Sequence, residues 1–258
     1  MVLTSTRNPR IAELATLARR RVRRERAQHL VEGPRAVAEA LEAGLVEEVF
    51  LDPDADLSLS VPAGVVVTEV AAHVLARLAE TRTPQGVVAV ARTPQPDLEM
   101  AVATGRVVVL HELADPGNAG TILRTSDAAG AGGVVLTSGS VDPFGPKAVR
   151  AAAGSTYHLA VVSDVGLDEV AEACRSAGLR LVGLDARADL GVDHLASDAR
   201  PTALVLGNEA HGLDAAAVER LDGTVAVPIH GRAESLNVAA AAAVALYALA
   251  GRWHDPRS

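Results

Sequence analysis

The chain has 258 residues, 49% of them apolar, a formal charge of −8 and a single cysteine. That length leaves room for two ordinary domains. One cysteine rules out an intrachain disulfide or a cysteine-built metal cluster, and the acidic balance argues against a protein that coats nucleic acid indiscriminately.

The start, Met1-Val-Leu-Thr-Ser-Thr-Arg7, leads into charge rather than into an apolar signal core, and no later apolar run reaches membrane-spanning length. A cytoplasmic protein is the expectation. Ile11, Leu14, Leu17 and Ala18 recur at helical spacing, which predicts one amphipathic helix from Asn8 to about Leu30. Residues 1–30 hold eight arginines against Glu13 and Glu25, a local charge of +6 that leaves −14 on the rest. A basic arm on an acidic body is a phosphate-seeking element; the alternative is a solvated helix face, and the clustering favours RNA. The candidate RNA-binding residues are Arg19, Arg20, Arg21, Arg23, Arg24 and Arg35, with Lys147 and Arg150 further along.

Gly33-Pro34 opens a second helix through Leu41, closed by Gly44. Short apolar runs follow at Val46–Leu51, Gly64–Thr68 and Gly86–Val90, with a helical pattern at Ala71–Ala79, so residues 1–92 read as a small α/β domain. Two prolines in Thr93-Pro-Gln-Pro-Asp mark a linker over 93–105. Residues 106–258 carry six further apolar runs, starting near Val107, Gly133, His158, Leu179, Ala203 and Thr224. Helical patterns lie at 119–130, 146–153, 167–177 and 236–250. Strands without alternation are buried on both faces, so the expected fold is α/β with a helix-covered parallel sheet. Cys174, in the helical Val170-Ala-Glu-Ala-Cys, reads as a packing residue.

Three stretches stand where apolar strands give way to polar or glycine-bearing loops that enter helices, the place where parallel sheets bind ligands. In Asp115-Pro-Gly-Asn118-Ala-Gly120-Thr-Ile-Leu-Arg124-Thr-Ser-Asp127, Asn118 is placed to cap the helix and Arg124 to pair with Asp127. In Leu206-Gly207-Asn-Glu209-Ala-His211-Gly212, Gly207 suits close approach to a planar base and Glu209 can orient its neighbours, while His211 is expected to face solvent. In Val227-Pro-Ile229 through Ser235-Leu236-Asn237, Ser235 is a natural N-cap of an alanine-rich helix. Neither a Gly-x-Gly-x-x-Gly fingerprint nor a P-loop lysine is present, which disfavours a general nucleotide-binding enzyme. The five aromatic residues are too few for base stacking to be the main binding mode.

In order and spacing, these stretches resemble the three motifs of the SpoU (TrmH) class of RNA ribose methyltransferases, which use S-adenosylmethionine. Asn8-Pro-Arg-Ile and Leu30-Val-Glu-Gly-Pro-Arg35 are similar to the RNA substrate-binding domain, ribosomal-protein-like in fold, attached to many such enzymes. The resemblance implies a C-terminal SPOUT domain with a trefoil knot, a homodimer, and methylation of a ribose 2′-hydroxyl in structured RNA, above all 23S ribosomal RNA. Transfer to tRNA, or an RNA-binding assembly factor without turnover, are the alternatives. It assigns Leu206, Gly207, Val227, Ile229 and Leu236 to the donor site, and Asn118, Arg124, Glu209, Ser235 and Asn237 to catalysis. A guanidinium stays protonated at neutral pH, so Arg124 is expected to fix a substrate phosphate and stabilise the developing alkoxide, with a phosphate oxygen or Glu209 taking the proton. Segment 141–155 is similar to the loop and helix between the first two motifs. Many relatives carry serine where Ala152 stands, so no hydroxyl role falls at that position.

Overall fold

The computed structural model describes residues 2–81, 83–197 and 200–253; Met1 and residues 254–258, at the edges of the expected domains, lie outside them. The chain divides into two compact units, one of Met1–Pro94 with Phe144–Tyr157, the other of Gln95–Pro143 with His158–Ser258.

The first unit carries α1 (Pro9–Ala15), α2 (Arg20–Arg26), β1 (Gln28–Glu32), α3 (Pro34–Glu42), β2 (Val46–Leu51), β3 (Val66–Glu69), α4 (Ala72–Leu78) and β4 (Val87–Arg92). Its sheet has the order β1-β4-β2-β3; β4 runs antiparallel to both neighbours and β3 parallel to β2. Alternation along β4 sends Val88 and Val90 into a core with Ile11, Leu14 and Leu75, and Val87, Ala89 and Ala91 into a second core with Val37 and Leu41. Helices therefore cover both faces.

The single helix expected over 8–30 is two helices and the start of a strand. Asn8 caps α1 through its side chain, a turn of 3₁₀ helix follows at Thr16–Ala18, and Arg19 is extended at φ −91°, ψ 126°. The break leaves the carbonyls of Leu17 and Ala18 without helical partners, and Arg23 Nη1 donates to both at 2.8 Å. Ala27 then takes a left-handed conformation, φ 49°, that turns the chain into β1. Helical spacing at 11–18 says nothing about this reversal, because tertiary packing of Leu17 and Arg23 decides it.

The second unit begins with α5 (Leu98–Ala103), inside the expected linker, so only the first residues of 93–105 are linker. Asp97 caps α5 by accepting the Met100 N–H, and Ala101 and Val102 are buried in the core. There follow β5 (Arg106–Leu110), α6 (Pro116–Ala128), β6 (Gly133–Thr137), α7 (Pro146–Ala152), β7 (Ala160–Val165), α8 (Leu167–Ser176), β8 (Arg180–Leu184), α9 (Asp193–Ser197), β9 (Thr202–Leu206), α10 (Ala215–Val218), β10 (Gly223–Val225) and α11 (Val238–Trp253). Of these α7 belongs to the first unit, where Val149 packs with Val31 and Val37. Lys147 and Arg150 thus share a unit with the arginine-rich helices rather than with the three motifs.

The six strands of the second sheet are all parallel, in the order β10-β8-β9-β5-β6-β7. Apolar burial on both faces accounts for the near-continuous valine and leucine of β5, β6 and β9. One face packs on α5 and α8, with Cys174 fully buried there among Val107, Val170 and Leu181. Burial raises the Cys174 thiol pKa to about 11. Strand order reverses between β5 and β9, which lie in register from Arg106↔Thr202 to Leu110↔Leu206. Such a reversal point is where open parallel sheets hold ligands, at the C-terminal ends of the strands.

Candidate active site

Two loops leave the paired ends of β5 and β9. After β5, the His111 N–H donates to the Leu206 carbonyl at 2.8 Å, and the chain reaches α6 through Asp115-Pro116. Asp115, not Asn118, is the N-cap: its Oδ1 accepts the Asn118 N–H at 2.9 Å, with Pro116 at the first helical position. With the cap supplied three residues earlier, the Asn118 side chain is free to reach across to the other loop.

That loop is closed tightly on itself. Asn208 and Gly212 exchange backbone hydrogen bonds of 3.1 and 2.8 Å, and a Cβ on Gly207 would stand 2.3 Å from the Gly212 carbonyl carbon. Gly207 is required by its own loop's backbone, a constraint that needs no ligand. The closure presents Glu209 to the start of α6. Its Oε2 accepts the Ala114 N–H, and its Oε1 accepts the Asp115 N–H, both at 2.9 Å; Asn118 Nδ2 donates to Oε1 at 3.1 Å. Burial pushes the Glu209 pKa up, but the Ala114 N–H, the Asn118 amide and the Asp115 N–H outweigh it, so the carboxyl lies below its ordinary range. An ionised carboxylate with three donors on it is an anchor and a poor proton acceptor.

The third segment joins through Asn237. Here too the expected cap moves: Asn237 Oδ1, rather than Ser235, accepts the N–H groups of Ala239 and Ala240, at 2.9 and 3.4 Å. Asn237 Nδ2 then donates to Asn118 Oδ1 at 3.2 Å. Donors and acceptors run one way, from the α11 backbone through Asn237 and Asn118 to Glu209. Both amide orientations follow from this chain, since flipping either would face like groups together.

A cleft of about 380 Å³ opens beside this network, within the range of small-molecule sites. All five residues expected to hold the donor line it: Leu206, Gly207, Val227, Ile229 and Leu236. Glu209 and Ser235 line it as well, whereas Asn118, Asn237 and Arg124 do not. His211 is exposed and stands at the cleft wall. The sequence reading missed Asp185 and Arg187, which line the same cleft from the loop after β8. The strand ending at Leu184 was recognisable, and a polar Asp-Ala-Arg following a parallel strand was the available signal.

Arg124 is exposed on α6 and, among the described residues, makes no hydrogen bond or ion pair. Its expected partner Asp127 instead binds His158 Nδ1 at 2.8 Å, so the guanidinium keeps all its donors.

The basic candidates divide. Arg19, Arg20, Arg21, Arg24, Arg35 and Lys147 are exposed. Arg23 is 6% exposed and committed to two backbone carbonyls, a structural role that its place in an arginine run concealed. Arg150 is exposed but ion-paired with Glu80, and Arg21 with Glu25.

Comparison with known proteins gives the family. The SpoU rRNA Methylase family matches residues 105–247, and the MRM3-like substrate binding domain matches residues 8–89. The 23S rRNA (guanosine(2553)-2′-O)-methyltransferase RlmP of Bacillus subtilis is 33% identical, over 96% of this chain and 99% of its own length. The 23S rRNA (uridine(2479)-2′-O)-methyltransferase of Streptomyces viridochromogenes is 36% identical, over 94% and 90%. Among solved structures, the AviRb SpoU methyltransferase of that organism, in complex with AdoMet, superposes with a TM-score of 0.84 at 33% identity, covering 95% of this chain and 98% of its own. The AdoMet-bound rRNA methyltransferase of Sinorhizobium meliloti gives 0.85 at 29%, covering 96% and 97%. With a family match over more than half of its length, and relatives aligned almost from end to end, the chain belongs to the SpoU rRNA methylase family.

Proposed function

We infer that this protein is an S-adenosylmethionine-dependent methyltransferase that modifies a ribose 2′-hydroxyl of 23S ribosomal RNA. The observation that carries the reading is the cleft at the ends of β8 and β9, lined by all five expected donor residues and bordered by the Asn237–Asn118–Glu209 network. The full-length likeness to two 23S rRNA enzymes favours ribosomal RNA over tRNA, and the intact motifs disfavour a binding-only factor.

The residues fit the donor: apolar Leu206, Val227, Ile229 and Leu236 suit a planar base, and the loop backbones offer polar groups. When bound, S-adenosylmethionine supplies a methyl group already activated on a sulfonium. The protein's part is placement and charge compensation. Arg124, with its donors uncommitted, holds a substrate phosphate and stabilises charge growing on the 2′-oxygen. Glu209 fixes the start of α6, from which Arg124 projects two turns on, and is a positioning residue. The 2′-hydroxyl proton passes to a phosphate oxygen of the RNA, because the Glu209 oxygens are engaged. Ser235 shapes the cleft wall, and Asn237 holds Asn118 and the start of α11 behind it. In the first unit, Arg19, Arg20, Arg21, Arg24, Arg35 and Lys147 supply the exposed cations for the RNA backbone.

The trefoil knot of the family is part of this reading. Its support is that β10 pairs at the sheet edge with β8, while α11, the next element, packs against α6, α9, β8 and β9. A homodimer is part of it too: Val244 and Tyr247 leave α11 with apolar surface 44% and 60% exposed, which a second copy would cover. No helix among the described residues is long and apolar enough to cross a membrane, and an RNA substrate puts the enzyme in the cytoplasm. The test is transfer of labelled methyl from S-adenosylmethionine to 23S rRNA, with the label recovered in an alkali-resistant dinucleotide.

A further inference from the structure

Asp185 directly follows β8, lines the donor cleft and is fixed from several sides. Its N–H donates to the Val225 carbonyl at 3.0 Å, and its carbonyl accepts the Ala188 N–H at 3.1 Å, so the backbone turns sharply there. The carboxylate is gripped by Arg187. Oδ1 accepts the Arg187 N–H at 2.8 Å and Nε at 3.0 Å, and Oδ2 accepts Nη2 at 2.8 Å. Arg187 Nη2 also donates to the Leu213 carbonyl at 3.1 Å, tying the loop after β8 to the base of the Glu209 loop.

The pair is asymmetric in its surroundings: the Arg187 side chain is 74% exposed, and that of Asp185 only 12%. A bond to the Arg187 guanidinium also holds the Asp185 carboxyl below its ordinary range, so it is ionised at neutral pH. A carboxylate offers about four lone-pair directions. Three are occupied, and among the described residues none fills the last one, on Oδ2. A partly buried, ionised, rigidly held carboxylate in a ligand cleft with one acceptor direction open is built to receive a hydrogen bond.

Which half of the donor reaches it follows from the sheet. Arg124 and Asn118 follow β5, and Asp185 follows β8, two strands away across β9. Neighbouring strands lie about 4.8 Å apart, which separates the β5 and β8 ends by roughly 10 Å. The reacting methyl has to stand on the β5 side. The far side, walled by Leu184 at the end of β8 and by Ile229 after β10, then takes the flat apolar arm of the donor.

We propose that Asp185, oriented by Arg187, is a specificity residue that accepts a hydrogen bond from the adenosine half of the methyl donor, from a ribose hydroxyl or the 6-amino group. Arg187 acts through Asp185 as a positioning residue. The proposal rests on the methyltransferase reading above.

Asp185→Asn tests it. The asparagine keeps the size, and its oxygen still accepts the Arg187 N–H and Nε, but its amide gives up the bond from Nη2 and presents N–H to the ligand's own donor. Titration calorimetry with S-adenosylmethionine and with 5′-methylthioadenosine, which lacks the amino-acid arm, reads the effect on the full chain. The expected result is an affinity loss of about tenfold in Asp185→Asn, equal for the two ligands. Arg187→Ala is expected to lose about threefold, and Arg187→Lys less, because the exposed Arg187 side of the pair is partly screened. In turnover the same factors enter the donor KM rather than kcat, and a melting temperature close to the parent's shows that the variants are folded. Unchanged affinity in Asp185→Asn overturns the proposal, as does a loss confined to S-adenosylmethionine, which would assign the carboxylate to the amino-acid arm. A parent protein that binds neither ligand would instead overturn the methyltransferase reading.

Discussion

Asn118 and Glu209, separated by 91 positions in sequence, meet at 3.1 Å between Nδ2 and Oε1, and through that bond the loop after β9 sets the start of the helix that carries Arg124. Glu209→Gln keeps the volume but replaces one acceptor oxygen by an amide facing N–H donors. Turnover is expected to fall at least tenfold, and S-adenosylmethionine affinity less than threefold. Parallel kinetics and calorimetry check this split.

The same hydrogen bonds have a pH signature. The Glu209 carboxyl lies below its ordinary value of 4.5, so the folded state is favoured by its ionised form. Its contribution is full above the unfolded pKa and is lost as pH falls through the folded one. Because Glu209 is exposed, the contribution is roughly 1 kcal/mol or less after screening. Urea unfolding is expected to show the parent more stable than Glu209→Gln at pH 7, with the gap closing below about pH 4.5.

Arg23 and Arg21 lie two positions apart in the same basic run and are expected to behave oppositely. Arg23→Ala removes the donor for one buried and one partly buried carbonyl and should cost about 1–3 kcal/mol of stability, read as a lower melting temperature. Arg21 is solvated, so Arg21→Ala is expected within about 0.5 kcal/mol of the parent. Replacing Arg19, Arg20 and Arg24 together should leave folding intact and flatten the salt dependence of RNA binding. The slope of log K against log salt would fall by about 0.7–0.9 for each RNA phosphate that the protein no longer neutralises.

Cys174 is fully buried and its thiol pKa is raised to about 11, so very little thiolate exists near neutrality. A thiol reagent at pH 8 is expected to label the folded protein slowly and the denatured chain at once. Fast labelling of the folded protein would contradict the packing described for α8.

Strands were the most legible part of the sequence. Val46–Leu51 is β2 from end to end, and the valine-rich runs of the second unit fall on β5, β6 and β9, because burial on both faces writes itself directly into composition. The break at Arg19 was hidden. Local spacing continues through it, and what holds it is Arg23 reaching back to two carbonyls. Helix α5 was hidden by Pro94 and Pro96, which precede its cap at Asp97 and were read as a linker.

In the candidate site, five residues singled out from the sequence fall together on the cleft, while several local structural roles were not legible. Asn118 and Ser235 are natural caps by type, yet Asp115 and Asn237 stand where the orphan N–H groups point. Cap position depends on backbone dihedrals that the residue type does not specify. Asp185 escaped notice because an Asp-Ala-Arg turn is ordinary at any strand end, and only the cleft gives it meaning.

The central claim is that three distant loops hold a methyl donor while Arg124 attends to the RNA. The most direct measurement pairs calorimetry with S-adenosylmethionine and labelled transfer to 23S rRNA, on the parent and on Arg124→Ala. The account predicts donor binding within about threefold in both proteins, with transfer by the parent and a loss of at least a hundredfold in the variant, the size expected when a charge-stabilising donor is removed. A variant that still transfers methyl at the parental rate, or a parent that binds no donor, would contradict it.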